Sequence, residues 1–110
     1  RLLVIQAQQA EDILWATEQS LRCRSFGAVL AWPAATIRDR EIRRLQLAAE
    51  AGGSTGFLYR SVDAAHEASP AALRLRLRRI ASALHVDVVK CRGGRSGVSV
   101  KVEAPCSGCA

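Results

Sequence analysis

Between Ala72 and Ile80 the chain reads ALRLRLRRI. Successive side chains on a strand point to opposite faces, so Leu73, Leu75 and Leu77 share one face while Arg74, Arg76 and Arg78 share the other. The same two-residue period returns in GVSVKVE, where Val98, Val100 and Val102 oppose Ser99, Lys101 and Glu103. LHVDVVKC lies between them as a third strand-like run, and RGGRSG is a glycine-rich hairpin turn joining the last two. The second half is therefore expected as an antiparallel or mixed extension of a sheet, its leucines and valines facing a core.

The first half has a different rhythm. RLLVIQ (Arg1 to Gln6), SFGAVLAWP and STGFLYR are short apolar runs without alternation, as strands buried on both faces require. Helical periods separate them. In AQQAEDILWATEQSLRC, Ile13, Leu14, Thr17 and Leu21 fall on one side, Glu18 is assigned elsewhere, and the early acids suit the helix dipole. The next helix is expected to start at Thr36 as N-cap, with Arg38, Arg40, Arg43 and Arg44 wet and Ile42, Leu45 and Ala49 dry, and to end at AGG, Ala51 to Gly53, on a glycine C-cap. Strand, helix, strand, helix, strand is the order of parallel crossovers with helices packed on the sheet. The fold class expected is α/β, with one domain over residues 1–103 and a flexible tail over 104–110. The opening on Arg1 directly into an apolar run predicts a piece of a longer domain.

The formal charge is +6 and the pI about 9.9, carried almost wholly by arginine, a balance compatible with nucleic acid, with an acidic protein, or with ordinary solvated surface. No run is long and apolar enough for a bilayer crossing and no secretory leader is visible, so a cytoplasmic protein is expected. Cys23, Cys91, Cys106 and Cys109 do not form a disulfide framework. CSGC at the end supplies two ligands of the four a structural zinc needs. No metal or other cofactor is expected.

Catalytic motifs are missing from this stretch. It has no G-x-x-x-x-G-K-[ST] phosphate loop, no G-x-S-x-G elbow and no H-E-x-x-H pair. Cys91 sits between Lys90 and Arg92 with no histidine placed by sequence to act as its base. The expectation is a protein that is not an enzyme.

RLLVIQ, AEDILWATEQSLRC, GAVLAW, RRLQLAAEAGGSTGFLYR, SPAALRLRL and VDVVKCRGGRSGVSVKV together resemble the later part of the ImuA family, nearly to Val102. That family is RecA-like, is associated with damage-induced translesion DNA synthesis in bacteria, and is related to the division inhibitor SulA. The resemblance implies a RecA-like three-layer fold. It places Trp32 where the metal-associated acid would stand, Arg60 at the former nucleotide-sensing position, and Ser61–Pro70 where RecA proteins carry a DNA-contacting loop. Lys90 and Arg92 match basic residues that reach a nucleotide across a filament interface.

The expectation carried forward is a non-catalytic RecA-like adaptor of translesion synthesis, with ImuB and RecA as partners, DNA as a further one, and Arg74, Arg76, Arg78, Lys90 and Arg92 as the contact surface. Two readings stand beside it: a SulA-like inhibitor that binds FtsZ, and a RecA-like ATPase whose phosphate loop lies upstream.

Overall fold

The computed structural model describes residues 1–34 and 36–103. It is a mixed α/β structure in which a two-stranded parallel sheet and a three-stranded antiparallel sheet are separate. The chain divides into two compact units, Arg1–Pro70 and Ala71–Ala110.

In the first unit, helix α1 (Ala10–Arg22) leads to strand β1 (Ala28–Ala31), helix α2 (Asp39–Gly52) and strand β2 (Thr55–Leu58). β1 and β2 pair in parallel from Ala28↔Thr55 to Ala31↔Leu58. The ladder runs on past the strand ends, with Thr55 N–H donating to the Gly27 carbonyl at 3.0 Å and Tyr59 N–H to that of Ala31 at 2.9 Å. Packing here centres on Leu21, 1% exposed, with Leu45 and Ala48 from α2. The two helices meet closely because Gly52 has no side chain: a Cβ there would overlap the Leu21 carbonyl. Ser54 Oγ–H donates to that carbonyl at 2.6 Å, which fixes the approach. α2 ends on Gly53 at φ 65°, a left-handed cap that glycine adopts without a steric penalty.

Several expectations are corrected. Arg1–Gln6 forms no strand and is exposed throughout, with Leu2 at 87% and Val4 at 70%. An unbroken apolar run favours a covered strand but does not supply the neighbouring strand that would pair with it. Those side chains instead line, with α1 and β1, an apolar groove of about 660 Å³. β1 and β2 are not buried on both faces, since Leu30 and Phe57 are each 47% exposed. Thr36 does not cap α2. Arg38 is the N-cap: its backbone N–H donates to Glu41 Oε2 at 3.2 Å, while its guanidinium donates to Oε1 at 2.8 and 2.9 Å. Glu18, assigned to the wet side of α1, is buried and accepts from Arg22 and Arg44 at 3.2 and 2.8 Å. The two guanidinium groups pair the carboxylate, so it is covered without being left unpaired.

In the second unit, β3 (Leu73–Ile80), β4 (Ala83–Cys91) and β5 (Ser99–Glu103) form an antiparallel sheet in that order. They make their own sheet and do not extend the parallel one. A two-residue turn, Ala81–Ser82, joins β3 to β4 with Ala81 at φ 55°. The turn RGGRSG joins β4 to β5 as expected, with Gly93 at φ 78° and Gly97 at φ 79°. The flexible tail expected over 104–110, including CSGC, lies outside the described residues.

Candidate interaction site

The register of the three-stranded sheet sorts its side chains into two unlike faces. Residues directly opposite one another in an antiparallel ladder share a face. One face carries the rows Leu75–Val88, Leu77–Val86–Val100 and Arg79–Leu84–Val102. The other carries Arg76–Asp87–Ser99 and Arg78–His85–Lys101.

The polar face is built around Asp87. Its side chain is 10% exposed and accepts from Arg78 Nε at 2.7 Å, Arg78 Nη2 at 3.1 Å, Arg76 Nε at 3.1 Å and Ser99 Oγ–H at 2.7 Å. The Arg78 guanidinium first, then the Ser99 hydroxyl and Arg76, hold this carboxyl far below the usual aspartate range. Two of the three arginines expected as a contact surface thus have their forks turned onto one internal carboxylate. The structure brings Arg76 and Arg78 together, with side chains 47% and 44% exposed, but as a cluster in which Asp87 offsets one of their two charges. Arg74 faces Lys90 across the β3–β4 ladder, next to a register shift. Arg92 begins the turn after β4, its backbone N–H donating to the Ala72 carbonyl at 2.8 Å.

The apolar face departs from the expected dry core. Leu73 is 55% exposed, Leu75 47%, Leu77 46%, Val100 51% and Val102 46%. Val86 and Val88 of the central strand, flanked by a strand on each side, are half-buried. Arg79 shares this face and no hydrogen bond or ion pair engages it among the described residues. Its signal was in the sequence: alternation calls for an apolar residue at position 79, and the run reads RLRR. Asp87 had a signal as well, as a lone acid interrupting LHVDVVK at the parity of the facing arginines.

The remaining site residues lie in the first unit, at the carboxyl ends of β1 and β2. Trp32 follows β1, Tyr59 follows β2, and their rings stack at 4.8 Å and 9°. Trp32 is 63% exposed. Arg60 is held by Glu67 at 3.0 Å with its side chain 17% exposed. The pair spans a 3₁₀ turn (Val62–His66) whose start is fixed by Asp63 N–H donating to Ser61 Oγ at 3.2 Å. This edge offers an aromatic platform and a compensated arginine. Among the described residues no group of three or more His, Cys, Asp or Glu could hold a metal. None of the helices they form is long and apolar enough to cross a membrane.

The sequence matches no protein-family model, no curated protein and no solved structure.

Charge sharpens the contrast between the units. The first seventy residues hold eight basic and eight acidic side chains, whereas Ala71–Ala110 holds eight basic and two acidic ones, so the excess of +6 belongs to the second unit. A basic sheet with an uncovered aliphatic face can adsorb an acidic partner that also has apolar surface to bury.

Proposed function

We propose that this chain belongs to a non-catalytic, RecA-like accessory protein of SOS-induced translesion DNA synthesis, acting in the cytoplasm by docking to DNA-repair proteins. The open aliphatic face of the β3–β5 sheet, set in the strongly basic half of the chain, is the observation that carries the docking role. An apolar patch rimmed by charge is the usual mark of a protein interaction site. The parallel β1–α2–β2 unit with α1 beside it is compatible with one part of a three-layer RecA-like domain. On the resemblance, Trp32 stands where an acid would assist a metal; its stacking on Tyr59 and the pairing of Arg60 with Glu67 support a docking role over nucleotide turnover.

ImuB and RecA are the partners this reading names. The test is to immobilise the chain and pass purified ImuB and RecA over it, with Val100→Lys as the control surface. Binding of either partner, weakened by Val100→Lys in a variant with an unchanged circular dichroism spectrum, is the expected outcome. Failure of both partners to bind would discard the assignment to translesion synthesis. ATP turnover above background would discard its non-catalytic part.

A further inference from the structure

We propose that the apolar face of the β3–β5 sheet receives an amphipathic helix from a partner protein, with acidic residues at both ends of that helix's apolar stripe. The inference rests on the docking reading above and names the chemistry of what docks.

Size comes first. Three strands spaced roughly 4.8 Å apart, of eight, nine and five residues, present a face on the order of 15 Å by 17 Å over the stretch that all three share. A helix with its side chains is about 10–12 Å across, and three turns span about 16 Å, so one helix covers the face. A second copy of the chain is a poor occupant. Both copies would bring the same excess of positive charge to the face.

Charge and composition set the chemistry. Arg79 stands on the apolar face in the row of Leu84 and Val102, at the end near the Ala81–Ser82 turn. Arg95 stands in the turn at the opposite end, exposed. Neither has a hydrogen-bond or ion-pair partner among the described residues. An occupant with carboxylates at both ends meets each of them. Nucleic acid fits less well, because sheets that bind single strands stack bases on aromatic side chains. Residues 71–110 contain no Phe, Trp or Tyr. Leucine and valine bury aliphatic surface but give a base nothing to stack on.

The experiment uses the whole chain and two synthetic helical peptides. Both carry a leucine stripe at i, i+3, i+4, i+7 spacing; one is flanked by glutamates and the other by lysines. Fluorescence anisotropy is expected to show binding of the glutamate peptide at least about tenfold tighter than the lysine peptide. Val100→Lys should weaken the glutamate peptide by about tenfold or more. Arg79→Glu should weaken the glutamate peptide and strengthen the lysine one, a reversal that a merely misfolded variant does not give. Amide shifts confined to Leu75, Leu77, Val86 and Val100 on titration would support the same face.

Equal binding of the two peptides, or none, overturns the proposal. So does binding of single-stranded DNA or phosphatidylserine vesicles that Val100→Lys abolishes while the glutamate peptide stays silent. The peptides contain no translesion protein, so the two readings fail separately. A silent peptide with ImuB or RecA bound removes only the helix. A bound peptide with neither partner bound removes only the assignment to translesion synthesis.

Discussion

Asp87 decides what the arginine stripe can do. Three donors from two neighbouring strands converge on its carboxylate, so Arg76 and Arg78 are positioned by an internal acid before any partner arrives. Asp87→Asn keeps the shape and removes the charge. Its melting temperature is expected below that of the parent at neutral pH, with faster hydrogen exchange at Val86 and Val100. The pH dependence has a definite sign. The folded carboxyl titrates below its unfolded value, so its contribution to stability is complete above the unfolded range and is lost as pH falls toward the folded one. The gap between parent and Asp87→Asn should be constant above about pH 5 and close progressively below about pH 4. A gap that persists unchanged in acid would mean that the carboxylate is not the stabilising partner. Freed of Asp87, Arg76 and Arg78 should also gain affinity for polyanions, so the variant is expected to bind single-stranded DNA more tightly than the parent even as it loses stability.

At the scale of elements, the pairing of α1 with α2 depends on one missing side chain and one covered charge. Gly52→Ala pushes a methyl group into the Leu21 carbonyl and is expected to cost about 1–3 kcal/mol in urea unfolding, the range for overpacking. Leu21→Ala opens the centre of the same contact and should cost about 2–5 kcal/mol. Glu18→Ala is milder, about 1 kcal/mol, because the two arginines it releases are already more than half exposed. The β3–β4 turn points the other way. Ala81 is held at φ 55°, and Ala81→Gly should raise stability by about 0.5–1 kcal/mol. Periodicity predicted α1, α2 and the three strands of the second half, because one stripe or one alternation is a local property of the chain. It did not reveal that Arg1–Gln6 pairs with no strand among the described residues, or that Leu73, Leu75 and Leu77 are about half exposed. Both depend on which other surface arrives, which the pattern of one segment does not encode. The Glu18 misassignment has the same origin: the charge was read locally, while the residue that covers it, Arg44, lies 26 positions away.

For the whole molecule, the useful quantity is where the charge sits. The total of +6 reads as a weak general attraction for polyanions, but the division into a neutral first unit and a basic second unit turns it into a localised one. The numbers behind that division were in the sequence; the boundary at Pro70 that gives them meaning was not, because it depends on which residues pack together. Of the candidate site, the arginine run was legible, whereas its internal pairing with Asp87 and the exposure of the leucine face needed the register and the neighbours. The consequence is measurable with labelled single-stranded DNA across a salt series. Binding is expected to be weak and salt-sensitive, with log K falling by about 0.7 per phosphate neutralised for each tenfold rise in salt. Reversing Arg79 and Arg95 together should flatten that slope, since no described residue engages those two guanidinium groups. Reversing Arg43 and Arg44 on α2 should leave it nearly unchanged, because the first unit carries as many acids as bases. If the α2 pair proved the more sensitive, attraction would be set by local geometry on the first unit, and the basic sheet would lose its claim as the surface that greets an acidic partner.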